Sequence, residues 1–188
     1  MKNTFCLDLV LPVTIDLSEF NRIKSTDIDC TIINHFNLSS DKNLNKFLKK
    51  YSLEICHSEV FYTPPYTKTV GIHIDSENIA SQTKLNYVFG ASGSRMQWFT
   101  PKDSTIVPAL KKTGIGSYYY HYNDDQCDYI YSAKVEQPSM VEVGVAHDVV
   151  NNTNDPRWCL SFMMYDPYQK IRPSWADVHE RLREFVVH

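Results

Sequence analysis

Hydrophobic and polar positions change their period along this chain, and the changes divide it into elements. Between Ser40 and Tyr51 the apolar residues Leu44, Phe47, Leu48 and Tyr51 return at three- and four-residue spacing, with lysines on the opposite face. That stripe predicts an amphipathic helix, started by Ser39, Ser40 or Asp41. From there to about residue 165 the period is two. The runs Leu53–Tyr62, Thr67–Asp75, Lys84–Phe89, Arg95–Thr100, Ser117–Tyr122, Tyr129–Val135, Ser139–Val150 and Trp158–Tyr165 read as strands, parted by Gly, Pro, Asn, Asp and Ser clusters. Ahead of the first helix, Phe5 to Leu17 alternates loosely and predicts a strand, or a strand pair kinked at Pro12, followed by a polar passage. The chain closes with a second helix. Ser174 after Pro173 is its N-cap, Asp177 complements its start, and Trp175, Val178, Leu182 and Phe185 form its buried stripe.

So many short strands without helices between them exclude a parallel sheet and point to a sandwich or jelly roll. The expected fold class is mainly β, with a few flanking helices. At 188 residues the chain fits one domain, 1–188, and no repeat, low-complexity tract or linker divides it.

Composition narrows the functions. Lys+Arg of 19 against Asp+Glu of 22 leaves a formal charge of -3, which disfavours a protein held to nucleic acid by phosphate contacts. Five scattered cysteines form no C-x-x-C pair, which argues against a cysteine zinc site and for a reducing, cytoplasmic setting. Asp8 and Asp16 interrupt and flank the apolar N-terminal stretch, so it does not read as a signal peptide, and no run is long enough to span a bilayer. The sequons at Asn37 and Asn151 carry no meaning without secretion.

Several common sites are absent. Gly90-Ala91-Ser92-Gly93-Ser94 lacks the spacing of a nucleophile elbow, and Gly114-Ile115-Gly116 lacks the third glycine of a dinucleotide loop. The informative segment is Gly71-Ile72-His73-Ile74-Asp75. On a strand His73 and Asp75 project together, while Val70, Ile72 and Ile74 project the other way into apolar packing. An imidazole and a carboxylate side by side make two ligands for a divalent metal, although a His hydrogen-bonded to a neighbouring Asp is the commoner use of that tripeptide. A second segment adds to it. Val141, Val143 and Val145 share a strand face that ends in His147, and the turn Asn151-Asn152-Thr153-Asn154-Asp155-Pro156 leads into Arg157. A hairpin symmetric about residue 152 would make His147 and Arg157 cross-strand partners. A buried Arg near a metal needs an anion, and its planar fork suits a carboxylate.

The order His73-x-Asp75, then His147, then Arg157 ten residues later, resembles the Fe(II)- and 2-oxoglutarate-dependent dioxygenases. The match covers roughly residues 53 to 165. The resemblance implies a double-stranded β-helix, the cupin-like form of the jelly roll. It implies that His73, Asp75 and His147 hold Fe(II), and that Arg157 binds the far carboxylate of 2-oxoglutarate. Leu85-Asn86-Tyr87 also looks like its counterparts in several members, where Asn86 could contact the metal-proximal carboxylate. Many members place a hydroxyl residue two positions after the Arg. Here that position is Cys159, and Ser161, on the Arg157 face, could help bind the cosubstrate. The implied activity is hydroxylation of a C–H bond, consuming O2 and 2-oxoglutarate and releasing succinate and CO2.

The rival class is a non-redox, cupin-like module that binds metal or serves structurally; a metal-dependent isomerase or hydrolase on the same fold would use zinc or manganese. Arg157 separates these, because a mere metal holder has no use for a buried cation there. Among other candidates His57, on the face of Glu59, and His121, among tyrosines, could touch the site, and Trp98, Tyr66 and Arg95 neighbour it in sequence. His35 and His179 read as solvated. The substrate, an amino-acid side chain or a small metabolite, would be selected by the loops around residues 18–40, 76–83, 90–95 and 101–116.

Overall fold

The computed structural model describes residues 5–24, 32–35, 42–75, 82–114, 116–135 and 138–187. Within them the chain is mainly β, with two antiparallel sheets and few helices. In chain order the strands are β1 (Cys6–Asp8), β2 (Ile32–His35), β3 (Glu54–Thr63), β4 (Thr67–Lys68), β5 (His73–Ile74), β6 (Thr83–Phe89), β7 (Arg95–Pro101), β8 (Ala109–Lys112), β9 (Tyr118–His121), β10 (Cys127–Ala133), β11 (Ser139–Glu142), β12 (His147–Asn151) and β13 (Arg157–Tyr165). The helices are α1 (Ser18–Lys24), α2 (Lys42–Lys49) and α3 (Trp175–Leu182). The first sheet runs β1-β11-β6-β13-β3-β2, and the second runs β10-β7-β12-β5-β9-β8 with β4 added against β12.

Alternation along the central strands of the first sheet separates its two faces. Leu85 and Tyr87 of β6, Leu160, Phe162 and Met164 of β13 and Val60 of β3 form the outer core, with Leu44, Phe47 and Leu48 of α2 and Val178 and Leu182 of α3. The opposite phase, which includes Glu59, Lys84, Asn86, Arg157 and Ser161, faces the space between the sheets and lines a cavity. β13 pairs with β3 on one side and β6 on the other, and its first eight residues are all buried. A strand covered on both faces must be apolar on one and fully satisfied on the other, which makes its polar residues informative. A second core, with Met96, Trp98, Val141 and Val143, borders the cavity through Met96 and Val143. At the C-terminus Ser174 caps α3 in a reciprocal box with Asp177, as its sequence predicts.

Several expectations need correction. The Ser139–Val150 run is two strands in different sheets. The chain leaves β11 at Val143, whose N–H bonds to Gln82, and Gly144 N–H turns back onto the Glu142 carboxylate before β12 begins. Thr67–Asp75 is likewise interrupted, because Gly71 adopts φ +86, a left-handed conformation that glycine tolerates. That turn sends Val70 to the cavity lining instead of away from it, while Ile72 and Ile74 pack as expected. Of Phe5–Leu17 only Cys6–Asp8 is strand, with Leu9 bridging to Val186. The polar passage holds α1 and β2, so His35 ends a strand, and the 101–116 loop holds β8. Phe185 lies in a 3-10 turn after α3. The sequon at Asn37 and the helix-starting Ser39, Ser40 and Asp41 fall outside the described residues, as does Ile115. Cys6, Cys56, Cys127 and Cys159 are free. Among the described residues no helix is long and apolar enough to cross a membrane.

Candidate metal centre

His73 sits on β5, Asp75 one residue past its end, and His147 at the start of β12, which pairs with β5 at His147↔His73. Pairing brings the imidazoles together, with ring centroids 4.4 Å apart. Asp75 Oδ1 lies 3.1 Å from His73 Nε2 and 3.7 Å from His147 Nε2. One ligand atom from each of the three falls within 4.8 Å of the others, so the cluster could hold a metal ion.

The backbone decides which ring nitrogens point inward. His73 Nδ1 meets the Gly71 carbonyl at 2.7 Å and His147 Nδ1 meets the Val145 carbonyl at 2.9 Å. A carbonyl only accepts, so each Nδ1 carries the proton and donates it. In the neutral rings both Nε2 atoms then present bare lone pairs to Asp75. Three electron-pair donors converging on one point repel unless a positive charge lies between them, either a proton on His73 Nε2, 3.1 Å from Asp75 Oδ1, or a metal ion. The same anchoring of the far nitrogen orients histidine in metal sites generally.

Electrostatics follow this geometry. Burial and the neighbouring His73 hold the His147 imidazole down, to about 4, so it is neutral near pH 7. Burial also disfavours a charge on His73, but its hydrogen bond to Asp75 and the carboxylate's charge outweigh that and raise it. Burial would push Asp75 up, yet Lys84 and the two histidines hold it well below the usual carboxylate range. Asp75 is therefore ionised.

Lys84 and Glu59 complete the cluster, and the sequence reading had not singled them out. Lys84 Nζ donates to Asp75 Oδ2 and to Glu59 Oε2, each at 2.8 Å, and both residues are buried. The ammonium carries Glu59 down to about 2 against the opposing effect of its burial. A lysine on a strand usually faces water. The signal against that was its phase, shared with Asn86 two residues on.

The remaining expected residues meet at the same cavity, of about 800 Å³. Arg157, 3% exposed, opens β13 and pairs in register with Thr63 on β3. His147 and Arg157 are not cross-strand partners. β12 belongs to the second sheet and β13 to the first, and the turn between them crosses from one sheet to the other. The Asn151 amide pins that crossing by donating to the carbonyls of Pro64 and Asp155. Among the described residues Arg157 forms no ion pair with a carboxylate. Asn86 and Ser161 are register partners, and Ser161 Oγ donates to Asn86 Oδ1 at 2.6 Å. The Asn86 amide N–H groups are thereby left for the cavity. Cys159 also lines it; burial pushes its thiol up, and Arg157 partly offsets that.

Other candidates separate cleanly. His57 lies on the lining, 3.6 Å from Glu59 Oε1, and Tyr119 of β9 meets the His73 ring edge-on at 5.9 Å. Trp98, Tyr66, Arg95 and His121 do not line the cavity. Trp98 is core and donates to the Glu142 carbonyl, Tyr66 is exposed, Arg95 holds Ser132, and His121 packs over Gly71. His179 is exposed on α3, as expected. Of the loops expected to select substrate, Gln82 and Thr113 reach the lining, 90–95 does not, and 76–81 lies outside the described residues.

No protein-family model matches the chain, and no curated protein matches it in sequence. Among solved structures it is similar to the X-ray structure of E. coli ycfD, at a TM-score of 0.37 and 12% identity. That alignment covers 67% of this chain and 30% of the other, so the chain spans under a third of that protein's length. The likeness is too loose to assign a fold or an activity.

Proposed function

We propose that the protein is an Fe(II)- and 2-oxoglutarate-dependent dioxygenase on a double-stranded β-helix. One observation carries the reading: two histidines with Nδ1 tied to backbone carbonyls aim their Nε2 atoms at one ionised aspartate, beside a buried arginine that forms no ion pair with a carboxylate among the described residues. The strand order supports the fold. Strands β3-β13-β6-β11 neighbour one another in one sheet and β5-β12-β7-β10 in the other, and the chain alternates between them as a jelly roll does.

Charge balance supports the ligand class. In the buried lining, Glu59 and Asp75 are offset by Lys84 and Arg157, and His147 is neutral; His73, whose hold on a proton Asp75 strengthens, would give up its Nε2 proton to a metal ion. A divalent cation adds two positive charges, and a dianionic keto acid removes them. Two histidines and one carboxylate with open positions are the donor set suited to non-haem iron. His73, Asp75 and His147 would hold the ion. Arg157 would clamp the far carboxylate of 2-oxoglutarate with its two parallel N–H groups, and Asn86 and Ser161 lie on the same wall for the near end. When bound, iron and keto acid supply the oxidising chemistry that consumes O2, releases succinate and CO2, and hydroxylates a substrate C–H. The substrate, an amino-acid side chain or small metabolite, would enter past Tyr119 and His57.

The test is calorimetric titration of 2-oxoglutarate into the protein with and without Mn(II), a redox-silent stand-in for the iron. Binding that needs the metal is the expected result. A metal-loaded protein that ignores 2-oxoglutarate would overturn the reading in favour of a metal-holding cupin-like module.

A further inference from the structure

Lys84 stands between two carboxylates. Its Nζ lies 2.8 Å from Asp75 Oδ2, on the ligand cluster, and 2.8 Å from Glu59 Oε2, on β3. The two oxygens are therefore no further apart than those two contacts laid end to end. Glu59 is 8% exposed and lines the same cavity as the ligand residues. It is a hard oxygen ligand on a flexible two-carbon stem, separated from the Asp75 carboxylate by the Lys84 ammonium alone along that line of contacts. The Lys84 ammonium engages its Oε2, while its Oε1 lies 3.6 Å from His57 Nε2.

We infer that Lys84 guards the coordination shell: by engaging Glu59 and the outer oxygen of Asp75, it keeps Glu59 from becoming a fourth protein ligand. The inference rests on the reading that His73, Asp75 and His147 hold a divalent metal. An octahedral ion with three protein ligands keeps three positions free, and a fourth protein ligand leaves only enough for a chelating keto acid. A second carboxylate would also cancel the metal's remaining charge and weaken its pull on a dianion. Lys84 is thus a positioning residue, acting through Glu59 and Asp75.

Lys84→Met removes the ammonium and keeps the bulk, and the double variant Glu59→Gln/Lys84→Met removes both members of the pair. Mn(II) affinity, water-proton relaxation of the bound Mn(II) and 2-oxoglutarate binding are measured on each full-length chain in the metal-loaded state. Lys84→Met is expected to bind Mn(II) about tenfold more tightly, to carry one fewer water on the ion, and to lose 2-oxoglutarate binding at least tenfold. The double variant is expected to regain the wild-type water count and 2-oxoglutarate binding. A Lys84→Met protein with the wild-type water count overturns the inference, and so does a folded double variant as defective as the single one. If Lys84→Met folds only with metal, the water count still decides, because a purely structural lysine would leave it unchanged. Failure of the underlying metal reading looks different: the wild-type chain itself would hold no Mn(II).

Discussion

Arg157→Met should raise the stability of the metal-free protein and weaken its cosubstrate binding, two effects of opposite sign from one substitution. Arg157 is 3% exposed and forms no ion pair with a described carboxylate. A buried ion left without its counterion costs several kcal/mol, and methionine fills a similar volume without that penalty. Part of the penalty is already relieved by Cys159, so the expected gain is about 1–3 kcal/mol. In a protein of this size each kcal/mol moves the melting midpoint by about 2–4 °C. With Mn(II) and 2-oxoglutarate present the order reverses. A bidentate, charge-assisted carboxylate pair contributes about 3 kcal/mol or more, so the variant should bind 2-oxoglutarate at least roughly a hundredfold more weakly. Thermal unfolding of both proteins, with and without ligands, measures both effects. A variant that is less stable without ligand would show that Arg157 serves the fold, and unchanged 2-oxoglutarate affinity would remove it from the cosubstrate site.

Other consequences are as direct. Asp75→Ala should abolish turnover and lower Mn(II) affinity about a hundredfold or more, because it removes the only anionic member of the ligand cluster and leaves Lys84 half-paired; wild-type metal affinity in that variant would count against the cluster. Gly90→Ala should destabilise the fold by about 2 kcal/mol or more, since φ is +71 and an added Cβ would collide with the Pro156 carbonyl oxygen; urea unfolding checks it. Glu59 should give the protein an acid-sensitive limb. Its carboxyl is held at about 2 in the folded chain against 4.5 ordinarily, so its stabilisation is complete above about pH 4.5 and is lost as pH falls towards 2, by about 3 kcal/mol in all. Urea midpoints followed down to about pH 3 should fall less steeply in Glu59→Gln than in the wild type.

Much of the site was legible in the sequence because metal ligation needs few residue types in a fixed relation to strand phase. His73 and Asp75 could be placed together from a period of two alone. His147 was legible as the polar end of an apolar row, although that row spans two strands and a change of sheet at Gly144. Arg157 was found for a reason that the topology does not uphold: the turn at Asn151 crosses between sheets instead of closing a hairpin, and the two residues meet through the shared cavity. Lys84 and Glu59 were not legible, because a charged strand residue is ordinarily a solvated one and only its partners in space show otherwise. The elements that were missed, α1, β2 and β8, are short, and β8 is exposed throughout, so no apolar periodicity marks them.

The central claim is that iron and 2-oxoglutarate meet at His73, Asp75 and His147. It is tested most directly by the visible absorption of the protein with Fe(II), without oxygen, before and after 2-oxoglutarate is added. A broad new band that needs both additions, and that is lost in Arg157→Met, is the predicted result. Bound Fe(II) with no band would contradict the account and leave a metal-holding β fold, and no bound Fe(II) would mean that the three side chains do not form a metal site.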